Sequence, residues 1–300
     1  MSAPRLPRTG LGRAAALLGL AVAAGASFSA GRLTRDGYRV WREAQAPIST
    51  EPSDTGSSGV APPRGDSSPE PQWVTIPGGV FAMGSDHHKQ DEQPITVTAL
   101  PSFEITRTEV TVKQYQACVL AGACTVAGTN DGPTANWGRR DRHDHPVNFV
   151  TWDQASVFCH WAGGRLPTEA EWEYAGRSAG RYPDYPWGDQ EPSCKLTVMR
   201  QGGVGCGSQT TSPVCSRPNG DTDQGLCDML GNVWEWTQDY YRSDYSLAPQ
   251  DGSAQEAAGS GFRVLRGGSI DDRGDELHIT RRRARAPADA KRRNGIRCAR

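Results

Sequence analysis

The sequence predicts an α+β fold that is rich in loops and poor in regular secondary structure, occupying residues 73–300. Three observations lead there. The 300 residues carry 35 Gly and 9 Trp but only 4 Met, a composition of tight turns and rigid aromatic packing rather than of a helical bundle. Three Thr-x-x-Glu/Gln capping boxes mark three short helices. Between and after them lie short alternating or apolar segments flanked by Gly and Pro, which read as strands.

Residues 1–30 read as an export signal, either cleaved or kept as an anchor. Arg5, Arg8 and Arg13 precede the apolar run 14–26, and Ala24-Gly25-Ala26 has the small-x-small form of a cleavage site. The run alone is short for a span, which needs about 20 apolar residues; extension through Ala30 brings it close. No Cys follows the run, which excludes a lipoprotein anchor. Residues 31–72, dense in Pro, Ser and Gly from 46 onward, read as a flexible tether that cannot form a core. Trp73–Gly84 reads as a hairpin turning at Pro77-Gly78-Gly79, and 95–100 and 102–106 as further strands.

Thr111 with Gln114, Thr151 with Gln154, and Thr168 with Glu171 then open the three helices, the second ending at Gly163-Gly164. In the third, Glu169, Glu171 and Glu173 load the first turns with negative charge, and the helix dipole suffices to explain them. The stretch 176–227 lacks periodicity and holds four Cys, so it is expected to be a loop region held by disulfides rather than by packing. Residues 262–268 and 295–299 are the last strand candidates.

Composition excludes some functions. A mean hydropathy of −0.62 rules out a polytopic membrane protein. Formal net charge is −1, but residues 1–45 carry +5 and residues 263–300 carry +7 against an acidic body. A basic end on an acidic body points to internal pairing, and no nucleic-acid partner is expected. All eight Cys lie within 73–300, and there is no CxxC, so neither a zinc ribbon nor a thioredoxin motif is offered. In an exported chain an even count implies disulfides. Local spacing suggests Cys118–Cys124, with Cys194, Cys206, Cys215 and Cys227 pairing among themselves; Cys159 and Cys298 would close a long loop.

Four blocks occur in order: Phe81-Ala-Met-Gly84 with Thr108-Glu-Val-Thr111; Pro146–Trp152 leading into Arg165-Leu-Pro-Thr-Glu-Ala-Glu-Trp-Glu-Tyr-Ala175; Gly231-Asn-Val-Trp-Glu-Trp236; and Arg266-Gly-Gly-Ser269 with Asn294–Ala299. Together they resemble the formylglycine-generating enzyme, or sulfatase-modifying factor, family across essentially all of 73–300. The resemblance implies an elaborated C-type-lectin-like fold. It also implies a copper(I) oxidase chemistry in which two cysteines soon after the Gly-Gly-Ser block hold the metal, soft thiolates suiting soft copper. Counted from Ser269, those positions here carry Asp272 and Leu277, and neither can replace a thiolate. Copper and formylglycine generation are therefore not expected.

Some relatives in that family are iron enzymes, whose iron histidines come largely from an added helical domain that this chain lacks. Local candidates for iron are Asp271, Asp272, Asp275, Glu276 and His278, a poor match to two His and one carboxylate. His87-His88, His143 and His145 could join only through folding; His87-His88 reads as solvated loop, and His145 as structural. The resemblance further implies a structural calcium held by Asp228, Gly231, Val233 and Glu235, hard oxygen ligands as calcium requires. A second calcium site near 194–206 is not carried over, because Cys194 and Cys206 stand there without a carboxylate set. The family has cysteines at the positions of Cys159 and Cys298, which supports that bridge; a second family pair is replaced at both ends by Gly176 and Arg282.

The run 281–285 reads as alternating side chains on a strand paired with the acidic body, or as a groove in which Arg281, Arg283 and Arg285 take an anionic ligand or acidic peptide. The expectation is an exported, non-catalytic binding or scaffold member, tethered to a membrane only if the N-terminal segment stays uncleaved. The alternative is a non-haem metal-dependent oxidoreductase acting on a peptide or small molecule.

Overall fold

Two prolines interrupt what is otherwise one long antiparallel ribbon. β1 (Trp73–Ile76) pairs with β4 (Phe103–Thr106), and β2 (Gly79–Met83) with β3 (Thr96–Leu100). Ile76 faces Phe103 and Gly79 faces Leu100, so the same register runs through both pairs. The expected hairpin at Pro77-Gly78-Gly79 is thus not formed; the chain reverses in the loop 84–95 instead. Pro77 and Pro101 lack the N–H that a continuous ladder needs, so the ribbon breaks where they meet. Gly78 lies so near the opposite strand that a Cβ there would sit 2.8 Å from Leu100 O. β3 alternates as predicted, with Thr96, Thr98 and Leu100 buried and Val97 and Ala99 outward.

The computed structural model describes residues 70–129, 134–182, 184–256 and 261–300. The expected signal at 1–30 and all but the last three residues of the expected tether lie outside them. No helix among the described residues is long and apolar enough to cross a membrane.

All three predicted helices form where their capping boxes begin: α1 (Val112–Leu120), α2 (Trp152–Trp161) and α3 (Glu169–Gly176). In each, the Thr hydroxyl accepts the N3 backbone N–H, and the N3 side chain accepts the Thr N–H in return. A four-stranded sheet, ordered β7-β6-β5-β8, forms the other half: β5 (Trp234–Tyr240), β6 (Arg263–Arg266), β7 (Arg282–Arg285) and β8 (Asn294–Gly295). One core gathers Ile76, Phe81 and Trp172 between the ribbon and α3; the other gathers Tyr115, Phe158, Trp234 and Trp236 between α1, α2 and β5.

The acids of α3 need more than the dipole. Glu169, Glu171 and Glu173 are all buried, and each meets arginine. Arg282 forks onto Glu169 at 2.6 and 2.9 Å, and Arg165 onto Glu171 at 2.7 Å. Arg177 and Arg266 share Glu173 at 2.8 and 2.5 Å. The basic C-terminal stretch is thus partly drawn inside, as internal pairing predicts.

The disulfides are Cys118–Cys124, Cys159–Cys298, Cys194–Cys206 and Cys215–Cys227. Beyond the last residue of α3, the described residues of the stretch 176–227 hold only the 3-10 turns Val204–Gly207 and Pro218–Gly220. It is packed as well as bridged, which corrects the expectation: Leu196, Val198, Met199, Val214 and Leu226 are buried.

Candidate functional site around residues 269–285

β6 runs into Gly267-Gly268, both at positive φ (98° and 80°), which turns the chain sharply into the 269–278 segment. Gly268 is required twice over, since a Cβ there would run into Leu277 Cδ2. Leu277 is buried by that contact. Asp272 is buried too, and one of its oxygens is spent: Trp234 Nε1 donates to Oδ2 at 3.0 Å and Ser269 Oγ at 2.7 Å. Every cysteine of the chain is in a disulfide, so no thiol stands near this segment or anywhere else.

The neighbouring acids go separate ways. Arg292 forks onto Asp271 at 2.8 and 3.0 Å, with Arg200 and Arg293 each at 3.6 Å. Asp275 pairs with Arg273, and Glu276 with Arg281. His278 is the exception, because folding brings His88 onto it. The two rings stack at 3.8 Å and 15°, His278 Nε2 lies 3.0 and 3.1 Å from the Glu92 oxygens, and His88 Nε2 lies 3.3 Å from Asp184. Both His87 and His88 lie in an exposed loop as read, but His88 is not merely solvated, since it also packs on His278, while His87 sits beside Asp86. The hydrogen bond with Asp184 raises the pKa of His88; burial lowers that of His278, against the pull of Glu92. Glu92, wholly buried in a polar loop, gave no local signal of its role. His145 is elsewhere, bonded to Thr211 Oγ1 at 2.8 Å and pushed down to about 4 by burial and then by Arg142.

β7 separates the arginines by face, as strand alternation requires. Arg282 turns inward to Glu169, and Arg281 is held by Glu276. Arg283 lies over the Trp234 ring at 5.0 Å, and Arg285 reaches only the Ala284 carbonyl. Among the described residues neither Arg283 nor Arg285 has an ion-pair partner. Burial, and then the charge of Arg293, push the Arg283 guanidinium down to about 10; Asp272 opposes this and Arg285 and Arg281 add to it.

The chain matches the sulfatase-modifying factor enzyme 1-like domain over residues 58–300. The chain belongs to the sulfatase-modifying factor family. It is 32% identical over 279 residues to the formylglycine-generating enzyme of Streptomyces coelicolor, covering 75% of this chain and 88% of that protein. It is 29% identical over 281 residues to the inactive C-alpha-formylglycine-generating enzyme 2 of Mus musculus, covering 77% and 86%. The solved structure of PvdO from Pseudomonas aeruginosa superposes with a TM-score of 0.65 at 27% identity, covering 76% of this chain and 94% of that one. The loop-rich α+β fold is thus that of the sulfatase-modifying factor family, and the chain's relatives include proteins named for formylglycine generation and others named as inactive.

In this member of the sulfatase-modifying factor family, the turn read as a calcium site lies between the Cys215–Cys227 disulfide and β5. Asp228, at φ 55°, is buried and accepts the Cys215 N–H at 2.6 Å. Gly231 N–H goes to Gly267 O, and Val233 N–H to Glu109 Oε1 at 3.0 Å. Glu235 is committed elsewhere: Arg297 holds both its oxygens at 2.8–3.0 Å, and Trp172 Nε1 donates at 2.5 Å. Asp228 rises to about 6 and Asp221 to about 7, each through burial first, with Asp228 adding to the shift of Asp221. Asp221 Oδ1 is buried without a hydrogen-bond partner. Four acids, Glu109, Asp221, Asp228 and Glu235, thus gather about Arg297. Among the described residues no three His, Cys, Asp or Glu side chains converge as a metal site.

Proposed function

We propose that this chain is an exported, non-catalytic binding member of the sulfatase-modifying factor family, whose ligand is an acidic peptide or related anion seated on Arg283 and Arg285. The observation that carries this reading is the absence of any thiolate. All eight cysteines are paired, position 272 holds a hydrogen-bonded carboxylate, and position 277 holds a buried Leu. Copper(I) chemistry of the thiolate kind has nothing to bind to. Beside that segment the positive charge is left uncancelled on the outer face of β7, where planar guanidinium forks match carboxylates. Four disulfides suit an oxidising compartment, in line with the basic and apolar N-terminal segment.

Two measurements on the domain exported to a periplasm test this. Elemental analysis after incubation with copper(I) and with iron(II) is expected to find neither metal near one per chain. An octaglutamate peptide is expected to bind, and the Arg283→Gln/Arg285→Gln variant to bind it at least about tenfold more weakly, as loss of charge-assisted hydrogen bonds implies. A stoichiometric redox metal, or aldehyde formed from a cysteine peptide, overturns the non-catalytic reading; equal peptide affinity in the variant removes the site.

The alternative, a non-haem metal-dependent oxidoreductase, draws on the meeting of His88 and His278 with Glu92 and Asp184. An imidazole binds a metal in its ring plane, and two stacked rings have no such point in common. The same elemental analysis decides between the readings.

Calcium at the 228–235 turn is part of the proposal. The support is the crowd of buried acids about Arg297, only partly offset by Arg107 and Arg217, and the unbonded Asp221 oxygen, which a hard dication would satisfy. Asp228 and backbone oxygens at Gly231 and Val233 would hold it; Glu235 would join only by giving up Arg297. Chelator should lower the melting temperature of the wild type and leave that of Asp228→Ala unmoved. A wild type indifferent to chelator and to added calcium speaks against the ion.

A further inference from the structure

An open groove lies apart from β7, between the first turns of α1 and the loop 134–145. The groove encloses about 530 Å³ and is lined by Val112, Gln116, Trp137, Arg139, Arg140 and His143. Its composition is not that of a folding feature. Trp137 is only half-buried, set edge-to-face against Tyr115 with ring centroids 5.7 Å apart. Leaving indole surface in a wet groove forgoes burial worth about 25 cal/mol per Å². Arg140 is exposed, and among the described residues it has no ion-pair partner. Arg139 has only Asp141, at 3.4 Å and largely in solvent, a contact worth little. That contact runs through its Nε, which is buried and falls short of hydrogen-bond geometry.

Buried hydrogen bonds pin the loop that carries these groups. Asn136 N–H donates to Asn148 Oδ1 at 2.9 Å, and Asn136 Nδ2 to Pro146 O and Thr211 Oγ1 at 2.8 and 2.9 Å. Arg142, buried behind the groove, donates to Asn136 Oδ1 at 2.9 Å. The backbone that carries Trp137, Arg139 and Arg140 is therefore positioned before any ligand arrives, which lowers the ordering cost of binding.

We infer that this groove binds an acidic carbohydrate: a pyranose ring laid on Trp137, its carboxylate or sulfate taken by Arg139 and Arg140, its hydroxyls by Gln116 and His143. The chemistry selects this class. Two forked cations call for a planar or tetrahedral oxyanion. Only Trp137 and Val112 are apolar, too little for an aromatic ligand that must bury both faces, while the polar rim matches hydroxyls. A chain of net charge −1 has no long basic track for a nucleic acid. The inference is independent of the proposed ligand on β7.

The test is calorimetric titration of the exported 73–300 domain with a trisulfated heparin disaccharide, with lactose and with sodium sulfate in parallel. Saturable binding of the disaccharide is expected, at least about tenfold tighter than lactose or sulfate. Arg139→Gln/Arg140→Gln, both at the surface, should lose that preference with an unchanged melting curve. Arg283→Gln/Arg285→Gln should bind the disaccharide as the wild type does, which separates this groove from the β7 site. No saturable binding, equal affinity for lactose, equal affinity for free sulfate, or undiminished binding in the Arg139/Arg140 variant each overturns the inference.

Discussion

Replacing Arg266 by Met is expected to destabilise the domain by about 3–5 kcal/mol, a large share of the roughly 5–15 kcal/mol that folded domains hold. Arg266 is fully buried, and its guanidinium holds Glu173 at 2.5 Å, Thr280 O at 2.8 Å and Ile279 O at 3.0 Å, with Glu169 at 3.3 Å. Removing it leaves Glu173 Oε2 without its guanidinium, leaves Glu169 to Arg282 and Tyr245, and frees two carbonyls, and each buried group left short of a partner adds desolvation cost. Arg266 and Glu173 are both fully buried, among α3, β6 and β7. Denaturant unfolding of Arg266→Met, followed by a double-mutant cycle with Glu173→Gln, measures the coupling. A variant within about 0.5 kcal/mol of the wild type would contradict the network's role, that being the scale of an ordinary surface change.

Removing the Cys159–Cys298 bridge should have an effect of the same order. The two cysteines are 139 residues apart, and both are buried in the core that joins α2 to the C-terminus. In the chain-entropy view a loop that long is worth about 5 kcal/mol, against about 2 kcal/mol for a loop of six residues. The Cys118–Cys124 bridge closes such a short loop, with a separation of 6. The Cys159→Ala/Cys298→Ala variant should therefore lose far more stability than Cys118→Ala/Cys124→Ala. Equal losses in the two would mean that native packing, not the unfolded chain, sets the value of these bridges.

What was legible in the sequence follows the range of the interaction involved. The helix starts at Thr111, Thr151 and Thr168 were legible because a capping box closes within three residues of itself. β5 was not, since Trp234 and Trp236 are buried, and so are Glu235 and Thr237 between them; a strand buried on both faces shows no alternation. The hairpin at Pro77-Gly78 failed for a related reason. Local turn chemistry was strong, but the same Pro and Gly serve equally well to break and bend a ribbon whose partner strand lies some 25 residues on. At the candidate site, the arginines of 281–285 were visible as a run. Which of them is spent on Glu169 or Glu276, and which is left over, depended on partners outside the strand.

The sequence by itself determined the family, the three helices, the supply of cysteines and the absence of thiolates from positions 272 and 277. These are matters of residue identity and of contacts within one turn of chain. Only the tertiary structure decided which charges are neutralised. Arg282 reaches Glu169 across 113 residues, Arg266 reaches Glu173 across 93, and His278 reaches Glu92 across 186. No local pattern encodes such pairings, because a buried charge is matched by whatever the fold sets beside it, and the cost of leaving it unmatched holds the pairing once the core has closed.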